Sequence, residues 1–129
     1  MEPISYCQYV KSGDVSLFTV ICLPRGEGKY PTVLYRTPYA EREEALSEAE
    51  LCEKKLGEYA YWLEAGYAVV YQHCRGRGKS EGDCVPYIYE REDGLALQAW
   101  AFLRAENGAR GKQHGGGKKF LSGVAHRRG

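Results

Sequence analysis

No stretch of this sequence approaches the roughly eighteen consecutive apolar residues that a membrane-spanning helix needs, so no such span is expected. The amino terminus, Met1-Glu2-Pro3-Ile4-Ser5, lacks the basic stretch and apolar core of a secretory signal. The cysteines, at 7, 22, 52, 74 and 84, are odd in number and include no C-x-x-C pair. In a chain without a secretion signal they read as reduced, isolated thiols, and a cytoplasmic location is expected. There is no internal repeat. Acids are missing altogether after residue 108.

What is present fits one soluble domain. The 129 residues are 43% hydrophobic and 27% charged, enough for a modest core. The net charge of +1 conceals an asymmetry. Six of the 18 basic residues (110, 112, 118, 119, 127 and 128) lie in the final segment, while all 17 acids precede it, leaving the first 108 residues at −5. That last segment, 109–129, is rich in glycine and poor in apolar side chains. It buries too little surface to offset its ordering entropy and is expected to be disordered. It reads as a solvated appendage rather than a nucleic-acid surface, because Phe120 is its one aromatic residue.

Along the chain, Ile4–Val10 and Val15–Leu23 flank the turn residues Ser12-Gly13-Asp14 and predict a β-hairpin. A loop at 24–29 precedes a short strand at 32–35, ended by Pro38. From Glu41 to Glu64, apolar residues recur at three- and four-residue steps, predicting one helix with Gly66 at its C-terminal cap. The nearly continuous apolar run 67–71 predicts a strand buried on both faces. A loop follows over 75–86, then a helix over 91–106. A β-hairpin followed by β-α-β-α is the grammar of an α/β protein, although a doubly wound sheet would here have a beginning without an end.

The stretch Cys74-Arg-Gly-Arg-Gly-Lys-Ser-Glu-Gly-Asp-Cys84 imitates three signatures. A phosphate-binding loop needs glycine where His73 stands, and a helix directly after Ser80. A dinucleotide fingerprint needs glycine where Glu81 stands. Gly78-Lys-Ser80-Glu-Gly82 matches G-x-S-x-G, but Ser80 lies well beyond the strand with no helix behind it, unlike a nucleophile elbow. A polar surface turn is the simpler reading. A metal site at His73, Cys74 and Cys84 lacks paired ligand spacing; no metal or cofactor is expected.

Three segments in sequence, "GKYPTVLYRTPY" (28–39), "AGYAVVYQHCRGRGKSEGD" (65–83) and "PYIYEREDGLALQAW" (86–100), resemble the CocE/NonD (cocaine-esterase-like) hydrolases. These are relatives of the X-prolyl dipeptidyl peptidases within the α/β-hydrolase superfamily. The resemblance implies the N-terminal portion of an α/β-hydrolase sheet and a serine hydrolase acting on acyl esters, amides or X-Pro peptides. It implies that Tyr39, the last residue of R-T-P-Y, is the oxyanion-hole side chain, and that Arg75 and Glu81 brace a non-catalytic loop. His73 stands where the family typically has Asp. The family's G-x-S-Y-x-G elbow has no counterpart: by counting, Gly116 falls in the nucleophile's place. The expectation is therefore a fragment, residues 1–108 being a partial hydrolase core that is inactive alone, followed by an out-of-frame segment at 109–129. The alternative is a non-catalytic module that associates, with itself or with a partner, through an open sheet edge and the basic tail.

Overall fold

The N-terminal hairpin sets the frame. Strands β1 (Ile4–Ser12) and β2 (Val15–Leu23) pair antiparallel across the two-residue turn Gly13-Asp14, with Ser12 opposite Val15. The computed structural model describes residues 2–25, 28–83, 88–107 and 119–128, with backbone only for 28–29, 104–107 and 119–128. Strand β3 (Gly28–Thr37) leads through a 3-10 turn (Glu41–Glu43) and helices α1 (Glu48–Glu58) and α2 (Ala60–Glu64) to β4 (Ala68–His73), which lies parallel to β3. Helix α3 (Glu90–Asn107) then leads towards β5 (Lys119–Arg128), parallel to β3 on its other side. The sheet order is β1-β2-β4-β3-β5.

Both faces of the central strands are buried, as the continuous apolar runs require. On one face Ile21, Leu23, Leu34, Ala68 and Val70 pack with Leu97 and Ala101 of α3. On the other, Phe18, Val20, Cys22, Val69 and Tyr71 pack with Leu51 of α1 and Leu63 of α2. Alternation along each strand therefore feeds two cores, one under each helical layer.

The single helix expected over 41–64 is resolved into three pieces. Ser47 stops any earlier start: its hydroxyl accepts from the Glu50 amide while the Glu50 carboxylate accepts from the Ser47 amide, a capping box. The helix then breaks at Tyr59, whose backbone (φ −101°, ψ 17°) leaves the helical region. Gly66 caps α2 as expected, its amide donating to the Leu63 carbonyl and that of Tyr67 to Trp62.

Composition predicts disorder throughout 109–129, but residues 119–128 form β5. Phe120, Leu121 and Val124 supply apolar and β-branched residues, and the β3 edge offers unpaired backbone groups. The pairing register shifts between Tyr30 and Thr32, where Pro31 has no amide to give. Residues 109–118 and Gly129 lie outside the described residues.

Candidate functional site

The parallel strands β3 and β4 end side by side, with Thr37 opposite His73. Tyr39 lies just past the end of β3, its side chain 75% exposed. The Thr37 hydroxyl accepts the Tyr39 amide at 2.9 Å, which fixes the backbone beneath the phenol. The segment after it is pinned by a residue the sequence reading does not single out. Glu43, in the 3-10 turn, accepts the Tyr71 hydroxyl at 2.7 Å and His73 Nε2 at 2.8 Å through Oε1, and Lys55 Nζ at 2.6 Å through Oε2. The Lys55 ammonium also sits 4.0 Å from the centre of the Tyr71 ring. Burial pushes the Glu43 carboxyl up, but the hydrogen bonds from Lys55, Tyr71 and His73 outweigh it and hold the group down at about 2.

His73 is fully buried, and both ring nitrogens are occupied. The Lys79 amide donates to Nδ1 at 3.1 Å, so the ring proton sits on Nε2 and points at Glu43. Burial lowers its pKa, partly opposed by Glu43. His73 is thus a neutral link between Glu43 and the loop, and no proton-transfer role remains for it.

That loop, residues 74–83, folds back over the strand ends. Ser80 Oγ donates to the His73 carbonyl at 2.7 Å and accepts the Phe18 amide at 2.8 Å. The hydroxyl therefore holds the loop to β2 and β4, and no described imidazole faces it. The G-x-S-x-G match is a clamp in this structure, in keeping with the missing helix behind it. Gly78 is required by proximity: a Cβ there would lie 2.3 Å from His73 Nδ1 and 2.8 Å from the Ala40 Cβ, at a φ of +52°.

The two bracing residues have partners. Arg75 grips Asp93 of α3 with two hydrogen bonds, of 3.0 and 2.7 Å, and its guanidinium stacks 4.0 Å from the Tyr89 ring. Glu81 accepts the Ser16 amide at 2.8 Å and returns its own amide to the Ser16 carbonyl at 2.9 Å. Asp93 also accepts the Ser12 hydroxyl at 2.6 Å. Arg36, buried in β3, donates to Gln72 and to Glu90, each at 2.7 Å. The sequence carries a signal for Arg36, since a charge inside an otherwise apolar strand needs a buried partner. It carries none for Glu43, which looks like one more acid in a solvated run.

A family model for the X-Pro dipeptidyl-peptidase (S15 family) matches residues 12–112. The chain belongs to that family. Among solved structures it is similar to an α-amino acid ester hydrolase, with 32% identity and a TM-score of 0.58 over 77% of this chain and 18% of that one. It is also similar to an aminopeptidase from the marine sediment archaeon Thaumarchaeota archaeon, with 25% identity and a TM-score of 0.57 over 78% and 19%. The ferulic acid-bound Est1E of Butyrivibrio proteoclasticus, at 15% identity and TM-score 0.61 over 94% and 41%, shares the fold. No curated protein matches. The chain spans about a fifth of the length of the first two structures. The α/β-hydrolase architecture and the kinship with hydrolases of the CocE/NonD kind are thus established for this S15 member.

Among the described residues, no group of three His, Cys, Asp or Glu side chains is placed to hold a metal ion, and no helix is long and apolar enough to cross a membrane. Cys84, one ligand of the metal site weighed from sequence, lies outside the described residues.

Proposed function

We infer that this chain supplies the oxyanion side of a serine hydrolase for acyl esters, amides or X-Pro peptide bonds, and that it has no nucleophile of its own. The observation that carries the reading is Tyr39: an exposed phenol just past the carboxyl end of a parallel strand, on backbone fixed by Thr37 and succeeded by a turn that Glu43 locks in place. A phenol so held donates to a developing oxyanion with little reorganisation. The activities of its relatives, an α-amino acid ester hydrolase and an aminopeptidase, support an acyl carbonyl as the reacting group. Lack of a nucleophile is supported by Ser80, whose hydroxyl is committed to the Phe18 amide and the His73 carbonyl.

The test is hydrolysis of p-nitrophenyl acetate by the purified chain. No turnover above buffer is expected, and Ser80→Ala should change nothing. Turnover abolished by Ser80→Ala would overturn the reading. The composition break at 109 supports an out-of-frame origin for residues 109–129. The coding DNA read in the other two frames past codon 108 should then yield G-x-S-Y-x-G, and its absence from both refutes that origin.

A second reading, a non-catalytic module that self-associates, is favoured by Leu95, Phe102 and Leu103 of α3, each at least half exposed. Sedimentation across a concentration series tests it. A strictly monomeric chain excludes it.

A further inference from the structure

The hairpin and α1 meet along a groove of about 650 Å³ that both Cys7 and Cys52 line. Neither thiol is fully buried, and both are free. Three hydrogen bonds hold the strand against the helix. The Ser5 hydroxyl donates to the Cys52 carbonyl at 2.9 Å, drawing the helix down onto β1. Cys7 Sγ donates to Glu48 Oε1 at 3.1 Å, and the Tyr9 hydroxyl donates to Oε2 of the same carboxylate at 3.0 Å. Glu48 and Cys52 are one helical turn apart on one face of α1. Cys7 is thereby placed on the wall of the same groove as Cys52, strand facing helix. From sequence the cysteines read as isolated, and their separation in the chain hides this pair.

We propose that Cys7 and Cys52 are a dithiol that a hydroperoxide can oxidise, stapling the edge strand β1 to α1. The Cys52 thiolate attacks one oxygen of a hydroperoxide, the O–O bond breaks, hydroxide (or alkoxide) leaves, and Cys52 becomes a sulfenic acid. The Cys7 sulfur then displaces hydroxide from that sulfur; the S–S bond forms, and the Cys7 proton departs with the hydroxide as water. Two thiols lose two electrons, and one peroxide gains them. Cys52 is the attacking member because the Glu48 carboxylate beside Cys7 opposes a second negative charge there. Burial, reinforced by Glu48, pushes the Cys7 thiol up to about 12, and burial also raises Cys52. The pair is consequently slow to react at neutral pH, and its rate should rise about tenfold per pH unit between 7 and 9.

The experiment treats the reduced 129-residue chain with hydrogen peroxide and maps its disulfides by non-reducing peptide mass spectrometry. The expected product is one Cys7–Cys52 cross-link, two hydrogens lighter and reversed by dithiothreitol. It should melt at least about 5 °C higher than the reduced chain, because the closed loop restricts the unfolded state. Cys7→Ser and Cys52→Ser should each abolish the cross-link and the shift in melting. The wild-type map decides without reference to either variant's folding. Cross-links chiefly to Cys22, Cys74 or Cys84, or conversion of Cys52 to sulfonic acid with Cys7 still alkylatable, would overturn the proposal.

Discussion

Glu43 binds Tyr71, His73 and Lys55 at once, and these contacts predict the cost of changing it. Glu43→Gln would leave Lys55, only 3% exposed, with the more exposed Glu58 carboxylate at 3.0 Å in place of the shorter contact to Glu43 at 2.6 Å. Because Glu58 still partners Lys55, weakening the Glu43 contacts should cost about 1–3 kcal/mol, read as a fall in the chemical-denaturation midpoint. Tyr39 is the opposite case. Its side chain is mostly solvated, so Tyr39→Phe should alter stability by less than about 0.5 kcal/mol. In any active hydrolase containing this segment, the same change should lower kcat about 10²- to 10³-fold with little effect on KM. A comparable loss in KM alone would remove Tyr39 from the oxyanion role.

Among the elements, the 74–83 loop is the most tightly specified. Gly78→Ala would force a methyl group into the His73 ring at a positive φ, and a loss of about 2–4 kcal/mol in melting experiments is expected. Ser80→Ala removes both clamp bonds and leaves the buried Phe18 amide unpaired, at a cost of about 1–3 kcal/mol. Much of this architecture is legible in the sequence. The apolar runs of β2 and β4, the turn at Gly13-Asp14 and the cap at Gly66 announce themselves through local chemistry. The capping box at Ser47 is equally local but is hidden under a helical periodicity that runs on through residues before it. Arg75 and Glu81 read as braces, yet their partners Asp93 and Ser16 are set by tertiary contact, which spacing does not encode. Glu43 and the thiol pair are illegible for the same reason. β5 shows a further limit: its pairing comes from an open neighbouring edge, whereas its composition alone suggests disorder.

At the scale of the whole molecule, the buried charges dictate how stability responds to acid. Burial raises the carboxyls of Glu43 and Asp93, but Lys55 for the first and Arg75 for the second outweigh it, and both sit below their usual range. His73, lowered by burial, is held neutral. In each case the unfolded chain binds protons more readily than the folded one, so stability rises with pH. It should be full above about pH 6.5, begin to fall as unfolded His73 takes up its proton, and fall further between about 4.5 and 2 through Glu43. Glu43 alone accounts for on the order of 3 kcal/mol of that loss. Thermal melts from pH 8 to 3 check the sign; a chain most stable near pH 4 would contradict it.

The clamp in which Ser80 and Glu81 reach back to Phe18 and Ser16 spans sequence separations of 62 and 65. Such contacts close only after β2 and β4 have already paired, because loop closure must be met by bonds that the strands alone can supply. The loop is therefore a late arrival on the folding route. Ser80→Ala should leave the refolding rate nearly unchanged and place its whole effect on unfolding, a φ-value near zero in a chevron plot.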